Sequence, residues 1–202
     1  MYKKTVIEIG ANNGNDTERL LNMYPDAIIY AFEPTQELLI NNLWPKFKDN
    51  ERVRVLPFAV DIVNSFKEFK IAGWYDWGCS SLHDFADNVR EEWPGNVDFK
   101  VTHKYFVPTI TMQDFCITYG ITNIDYLHID TQGNDFNCLL SFKDQIKIVR
   151  AGRCEVEAKV KLYKGVDNSL KSVKSWLIEN GFHVNCSNNL EISPEADLDF
   201  YR

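Results

Sequence analysis

A short β-branched run, Thr5-Val6-Ile7-Glu8-Ile9, ends directly on Gly10, and a second glycine follows at position 14 before apolar residues recur at helical spacing. A buried strand, a glycine turn and a helix start in that order form the opening unit of an α/β architecture. Leu20, Leu21 and Tyr24 set the helical spacing, Asp16 is placed to cap the helix, and Pro25 ends it. Ala27 to Phe32 reads as a second strand, Thr35 opens a helix carrying Leu38, Leu39 and Leu43, and Val53 to Val60 reads as a third strand interrupted by Pro57. Near-continuous apolar strands in β-α-β-α-β order predict a parallel sheet covered by helices on both faces.

The rhythm changes in the middle of the chain. Phe66 to Ile71 and, more loosely, Val97 to Val107 alternate apolar and polar residues, which predicts antiparallel or edge strands within an insertion at about 65–107. Between them lies an aromatic, turn-rich stretch with Trp74, Tyr75, Trp77 and Ser80-Ser81-Leu82. A helix from Met112 to Tyr119 ended by Gly120, the strand Ile124 to Asp130, a helix after Asn134 and a strand near Ile148 to Val156 restore the α/β pattern. The helix Ser169 to Asn180, stopped by Gly181, and strands at Phe182 to Cys186 and Leu198 to Tyr201 complete it. With 202 residues and neither repeat nor linker, one domain over 1–202 is expected.

Charge and cysteine usage narrow the functional classes. Against 22 Lys+Arg stand 29 Asp+Glu, and a net charge of -7 works against general nucleic-acid binding. Charged residues interrupt every apolar stretch short of the roughly 20 residues of a membrane helix. Glu8 arrives before a signal-peptide core can form, so a cytoplasmic location is expected. Cys79, Cys116, Cys138, Cys154 and Cys186 are scattered without a C-x-x-C pair, which suits a reducing compartment and thiols with no special role.

The chemistry concentrates at the strand ends. A dinucleotide fingerprint G-x-G-x-x-G would require glycine at 12 and 15, and both are Asn. The turn Gly10-Ala11-Asn12-Asn13-Gly14, preceded by the in-strand acid Glu8, suits a ligand with a positive centre and a small carboxylate, as S-adenosyl-L-methionine has, better than a pyrophosphate. Glu33, in Ala31-Phe32-Glu33-Pro34, lies 19 residues beyond Gly14. An acid at that spacing accepts ribose hydroxyls in nucleoside-binding sheets. His128 and Asp130 alternate onto one face of the later strand, with Asp130 at its carboxyl end beside the same crevice. His128 is either a proton acceptor or a hydrogen-bonded structural residue. Glu155 and Glu157 end the following strand, and Glu155 is a candidate for positioning substrate.

Taken in order, Glu8 to Gly14, Ala31 to Pro34, Ser80-Ser81-Leu82 and Ile124 to Asp135 resemble the FkbM-type S-adenosylmethionine-dependent methyltransferases from Val6 to about Glu155. The last motif departs from the family's usual wording: His128 replaces a Lys, and Thr131, Gln132, Asn134 and Asp135 stand where Val, Glu, Ala and Glu are usual. The resemblance implies a Rossmann-like class I methyltransferase fold with a seven-stranded, mostly parallel sheet. It also implies S-adenosyl-L-methionine as donor, S-adenosyl-L-homocysteine as product, and a hydroxyl acceptor on a sugar, glycan or natural product. Gly10, Ala11, Asn12, Asn13 and Gly14 with Glu8 would cradle the methionine part, Glu33 and Pro34 the ribose, and Phe58 and Ala59 the adenine, with Val60 or Asp61 near its edge. Phe58 is open to a stacking or a plain core role. Asp130, with His128 and Glu155, would serve catalysis, and no metal is expected. The aromatic insertion would meet the acceptor, pack internally or form a homodimer contact, while His83 and His103 are expected at the surface. A nicotinamide dehydrogenase, a non-catalytic nucleoside-binding module and an RNA methyltransferase are the alternatives.

Overall fold

The computed structural model describes residues 3–73, 77–93, 99–186 and 193–202. Five strands, β1 (Lys4–Ile9), β2 (Ala27–Phe32), β3 (Val53–Leu56), β7 (Tyr126–Ile129) and β8 (Ala151–Glu157), run parallel in one sheet. At its far edge β10 (Glu195–Tyr201) pairs antiparallel with both β8 and β9 (His183–Cys186). The order β3-β2-β1-β7-β8-β10-β9 is therefore seven-stranded and mostly parallel. Because strands are added to one side of β1 first and then, from β7 on, to the other, the carboxyl ends of β1 and β7 flank a crevice at a topological switch point, where α/β sheets bind ligands.

Helices cover both faces, as the apolar periodicity predicts. Helix α1 (Asn15–Met23) and the continuous helical run of α2 (Gln36–Leu38), a π-helical segment Leu39–Leu43 and α3 (Trp44–Phe47) bury Leu20, Leu43 and Phe47 against Val6, Ile29 and Ala31. Pro45 removes one amide donor from that run, next to the widened turn. On the other face α5 (Met112–Tyr119), α6 (Asp135–Leu140) and α7 (Leu170–Glu179) pack Phe115, Leu139 and Leu177 over Ile7, Leu127, Val156 and Leu198. A helix of one turn, α4 (Val89–Glu92), buries Val89 beside Leu162 and Tyr163. Thr111 accepts the Asp114 amide at the start of α5 and left-handed Gly120 closes its end, matching the expected bounds.

Several strand bounds shift by a few residues, and two further differences bear on the site. Gly14, at φ 83°, occupies the cap position of α1, and Asp16 sits in the first turn paired with Arg19 at 2.8 Å. The stretch Val53 to Val60 is two strands: Pro57 has no amide for the ladder, and beyond it β4 (Ala59–Val60) joins a second sheet. There β4 pairs parallel with β6 (Val101–Ile110), which is antiparallel to β5 (Ser65–Ala72). The alternation of Phe66 to Ile71 thus reports a real hairpin with Phe69 and Ile71 turned inward. Trp74, Tyr75 and Val97 lie outside the described residues; Trp77–Cys79 is a 3₁₀ turn.

Candidate active site

The tips of β1 and β2 are bonded directly to each other. Glu33, only 5% exposed, accepts the Asn12 amide on Oε2 at 2.8 Å and the Thr35 amide on Oε1 at 2.8 Å. The amides of Gly10 and Ala11 both donate to the Phe32 carbonyl at 2.9 Å. Burial pushes the Glu33 carboxyl above the usual carboxylate range, and the Thr35 and Asn12 hydrogen bonds oppose that shift.

Around this junction lies a pocket of about 600 Å³, open mouth included. Its wall takes Ile9, Gly10 and Asn12 from the first strand tip and Phe32, Glu33, Pro34 and Thr35 from the second. Phe58, Ala59 and Val60 come from the crossover to the small sheet, and Phe69, Gly78, Ser80 and Leu82 from the insertion. Asp130, Thr131, Gln132 and Asn134 complete it from the end of β7. Among the described residues the lining holds two acids and no Lys, Arg or His. Asn12 and Gln132, at φ 47° and 54°, are two of the three described non-glycine residues in left-handed backbone. Such conformations cost energy and cluster where a fold shapes a site.

Gly10 is required by the protein itself. A Cβ there would stand 1.8 Å from the Asp130 carbonyl oxygen, so the close approach is between two strand ends. At Gly14 a Cβ would meet the Phe47 ring at 2.7 Å. Gly14, Ala11 and Asn13 do not line the pocket: Ala11 packs in the core, and Asn13 Oδ1 accepts the Asn15 amide at 3.1 Å.

Behind Asp130 lies a group of carboxylates. Gln132 Nε2 donates to Asp130 Oδ1 at 2.7 Å and reaches Glu155 Oε2 at 3.4 Å, while its Oε1 accepts the Tyr163 hydroxyl at 2.9 Å. Burial raises the pKa of Asp130, and the Gln132 hydrogen bond opposes it. Glu155 is raised well above the usual range, by burial first and by the Asp130 charge second. Asp135, pushed up to about 7 by burial and then by Asp130, is tied to the Thr131 hydroxyl at 2.9 Å and the Glu155 amide at 3.2 Å.

Glu8 and His128 occupy a different layer. They are register neighbours on β1 and β7, turned toward α1, and neither lines the pocket. Glu8 Oε2 accepts the Thr17 hydroxyl at 2.5 Å, and burial raises its pKa to about 8. Glu8 Oε1 and His128 Nδ1 are both buried with no hydrogen-bond partner among the described residues. His128 is 6% exposed, and burial lowers its pKa, so the imidazole is held neutral. Asp61 is also outside the lining, buried in an ion pair with Lys67.

Sequence reasoning missed His83, which is not a surface residue: it is half-buried, with Nε2 2.7 Å from Asn134 Oδ1. It also missed Thr35, Phe69 and Leu82 as wall residues. The inward phase of Phe69 was available from the alternation of its strand, whereas His83 carried no periodic signal. Among the described residues no group of three or more His, Cys, Asp or Glu is placed to hold a metal ion. Nor is any described helix long and apolar enough to cross a membrane.

A sheet of this order with its pocket at the β1/β2/β7 tips is a class I methyltransferase fold. A model of the methyltransferase FkbM domain matches residues 8–184, and the chain belongs to that family. A relative, 2-O-methyltransferase NoeI of Sinorhizobium fredii, is 24% identical over 153 residues, covering 72% of this chain and 60% of NoeI. The crystal structure of methyltransferase FkbM from Methylobacillus flagellatus superposes with a TM-score of 0.57 at 11% identity, covering 98% of this chain and 43% of that one. Precorrin-6y C5,15-methyltransferase from Geobacter metallireducens gives a TM-score of 0.50 at 10% identity, covering 99% of this chain and 82% of that one. The chain thus spans less than two thirds of NoeI and less than half of the FkbM structure.

Proposed function

We propose that the chain is an S-adenosylmethionine-dependent O-methyltransferase acting on a hydroxyl of a sugar, glycan or similar polyhydroxylated small molecule. The observation that carries this reading is a pocket whose lining, among the described residues, holds two acids and no cation and is built on the Asn12–Glu33 junction. Such a lining suits a sulfonium with an ammonium group and is hostile to the pyrophosphate of a nicotinamide dinucleotide. Each Glu33 oxygen takes one amide and retains acceptor capacity for a ribose hydroxyl. Phe58, Ala59, Val60 and Phe69 offer an apolar wall to a purine.

When bound, that donor supplies a methyl group on positively charged sulfur, already activated for displacement. The chain's task is then to align an acceptor oxygen and take its proton. Asp130 lines the pocket and Glu155 adjoins it through Gln132, and burial raises both carboxyls above the usual carboxylate range, which makes each a stronger base than an exposed carboxylate. We assign proton removal to this pair; His128, buried on the α1 side and outside the lining, is assigned support of the strand. NoeI is named as a 2-O-methyltransferase, which favours an oxygen acceptor.

Titration calorimetry with S-adenosylhomocysteine tests the reading. Wild type should bind it, and Glu33→Gln, which keeps the side chain's size but loses its charge, should bind about 10–100-fold more weakly. Equal affinity in the two proteins would overturn the ribose assignment.

A further inference from the structure

We propose that His83, from the insertion, is a positioning residue for the nucleoside pocket: it donates its Nε2 proton to Asn134 and so fixes the wall that Asn134 joins to Val60. The inference rests on reading that pocket as the donor site.

The hydrogen bonds around Asn134 leave one assignment. Its Nδ2 donates to the Val60 carbonyl at 2.9 Å, so the other amide atom is the acceptor Oδ1. That oxygen takes the Asn137 amide side chain at 2.8 Å and stands 2.7 Å from His83 Nε2. Two acceptors cannot form that contact, so His83 carries its proton on Nε2. Burial keeps the imidazole below its ordinary pKa, which preserves the neutral form.

Asn134 is 1% exposed yet lines the pocket, and Val60, to which it is bonded, lines it from another element. One amide thus joins two walls, with His83 holding its outer end. The same turn is anchored a second time, since Ser81 Oγ donates to the Gln132 carbonyl at 2.7 Å and accepts the His83 amide at 3.0 Å. Ser80 and Leu82, flanking Ser81, are themselves wall residues. The insertion therefore shapes the pocket, and His83 and Ser81 are side chains through which it grips the β7–α6 loop.

Nitrogen chemical shifts of His83 and calorimetry with S-adenosylhomocysteine on wild type, His83→Ala, His83→Asn and His83→Gln test this together. Gln can present an N–H near the Nε2 position, whereas the shorter Asn cannot. The expected result is the Nε2–H tautomer, affinity about tenfold weaker in the Ala and Asn variants, and affinity within about twofold of wild type in Gln. A rescue by Gln but not Asn would not arise from loss of bulk alone. An Nδ1–H tautomer, unchanged affinity in His83→Ala, or equal losses in Gln and Ala would each overturn the proposal. If wild type takes up no S-adenosylhomocysteine, the donor reading fails instead, and the tautomer still decides whether His83 donates to Asn134.

Discussion

Glu8 is wholly buried, with Thr17 its one hydrogen-bond partner among the described residues. Its carboxyl keeps a proton up to about pH 8 in the folded chain but loses it near 4.5 when exposed. Between those values the folded state binds the extra proton, so this group's contribution to stability is intact below about 4.5 and is lost as pH rises toward 8. Glu8→Gln has no proton to lose. It should match wild type near pH 4 and gain on it by a few kcal/mol by about pH 8, read from denaturant melts. A difference independent of pH would show that Glu8 ionises freely in the fold. Gly10→Ala should be far worse, costing about 3 kcal/mol or more, because the methyl group collides with the Asp130 carbonyl at φ 93°. A melt within about 1 kcal/mol of wild type would contradict that packing. The sequence pointed to both residues; Glu8 lies off the pocket, while Gly10 both lines it and closes against Asp130.

At the scale of elements, the β-α-β core was legible because hydrophobic periodicity and caps agree: β2 and α5 have the expected bounds. What could not be read was the fate of the chain after Pro57. A missing amide marks a break in a ladder but not which sheet the next residues join. Likewise Ser80-Ser81-Leu82 was visible as a motif, yet its contact with Gln132 joins residues 51 apart in sequence and leaves no local pattern. Ser81→Ala removes that link while leaving the insertion strands paired. Hydrogen exchange should then quicken at residues 79–83, by a factor of about 10, with global stability lowered by only about 1 kcal/mol. Unchanged protection there would mean the turn is held by something other than Ser81.

Over the whole molecule, the two sheets meet at the pocket, with β4 and β5 of the small sheet closing what β1, β2 and β7 open. Tyr105 reinforces the junction by accepting the Gln36 amide at 3.0 Å and donating to Glu37 at 3.2 Å. A ligand bridging both sheets should stabilise them as one unit. S-adenosylhomocysteine at about 100 times its dissociation constant should add about 2.7 kcal/mol and raise the melting temperature by roughly 5–10 °C, whereas a nicotinamide dinucleotide should not. A shift with the dinucleotide alone would reverse the assignment of the pocket. The most direct measurement is a crystal structure grown with S-adenosylhomocysteine. The account predicts the ribose hydroxyls on Glu33, the base against Phe58 and Phe69, and the sulfur toward Asp130; a nucleoside bound elsewhere, or a ribose that leaves Glu33 untouched, would contradict it.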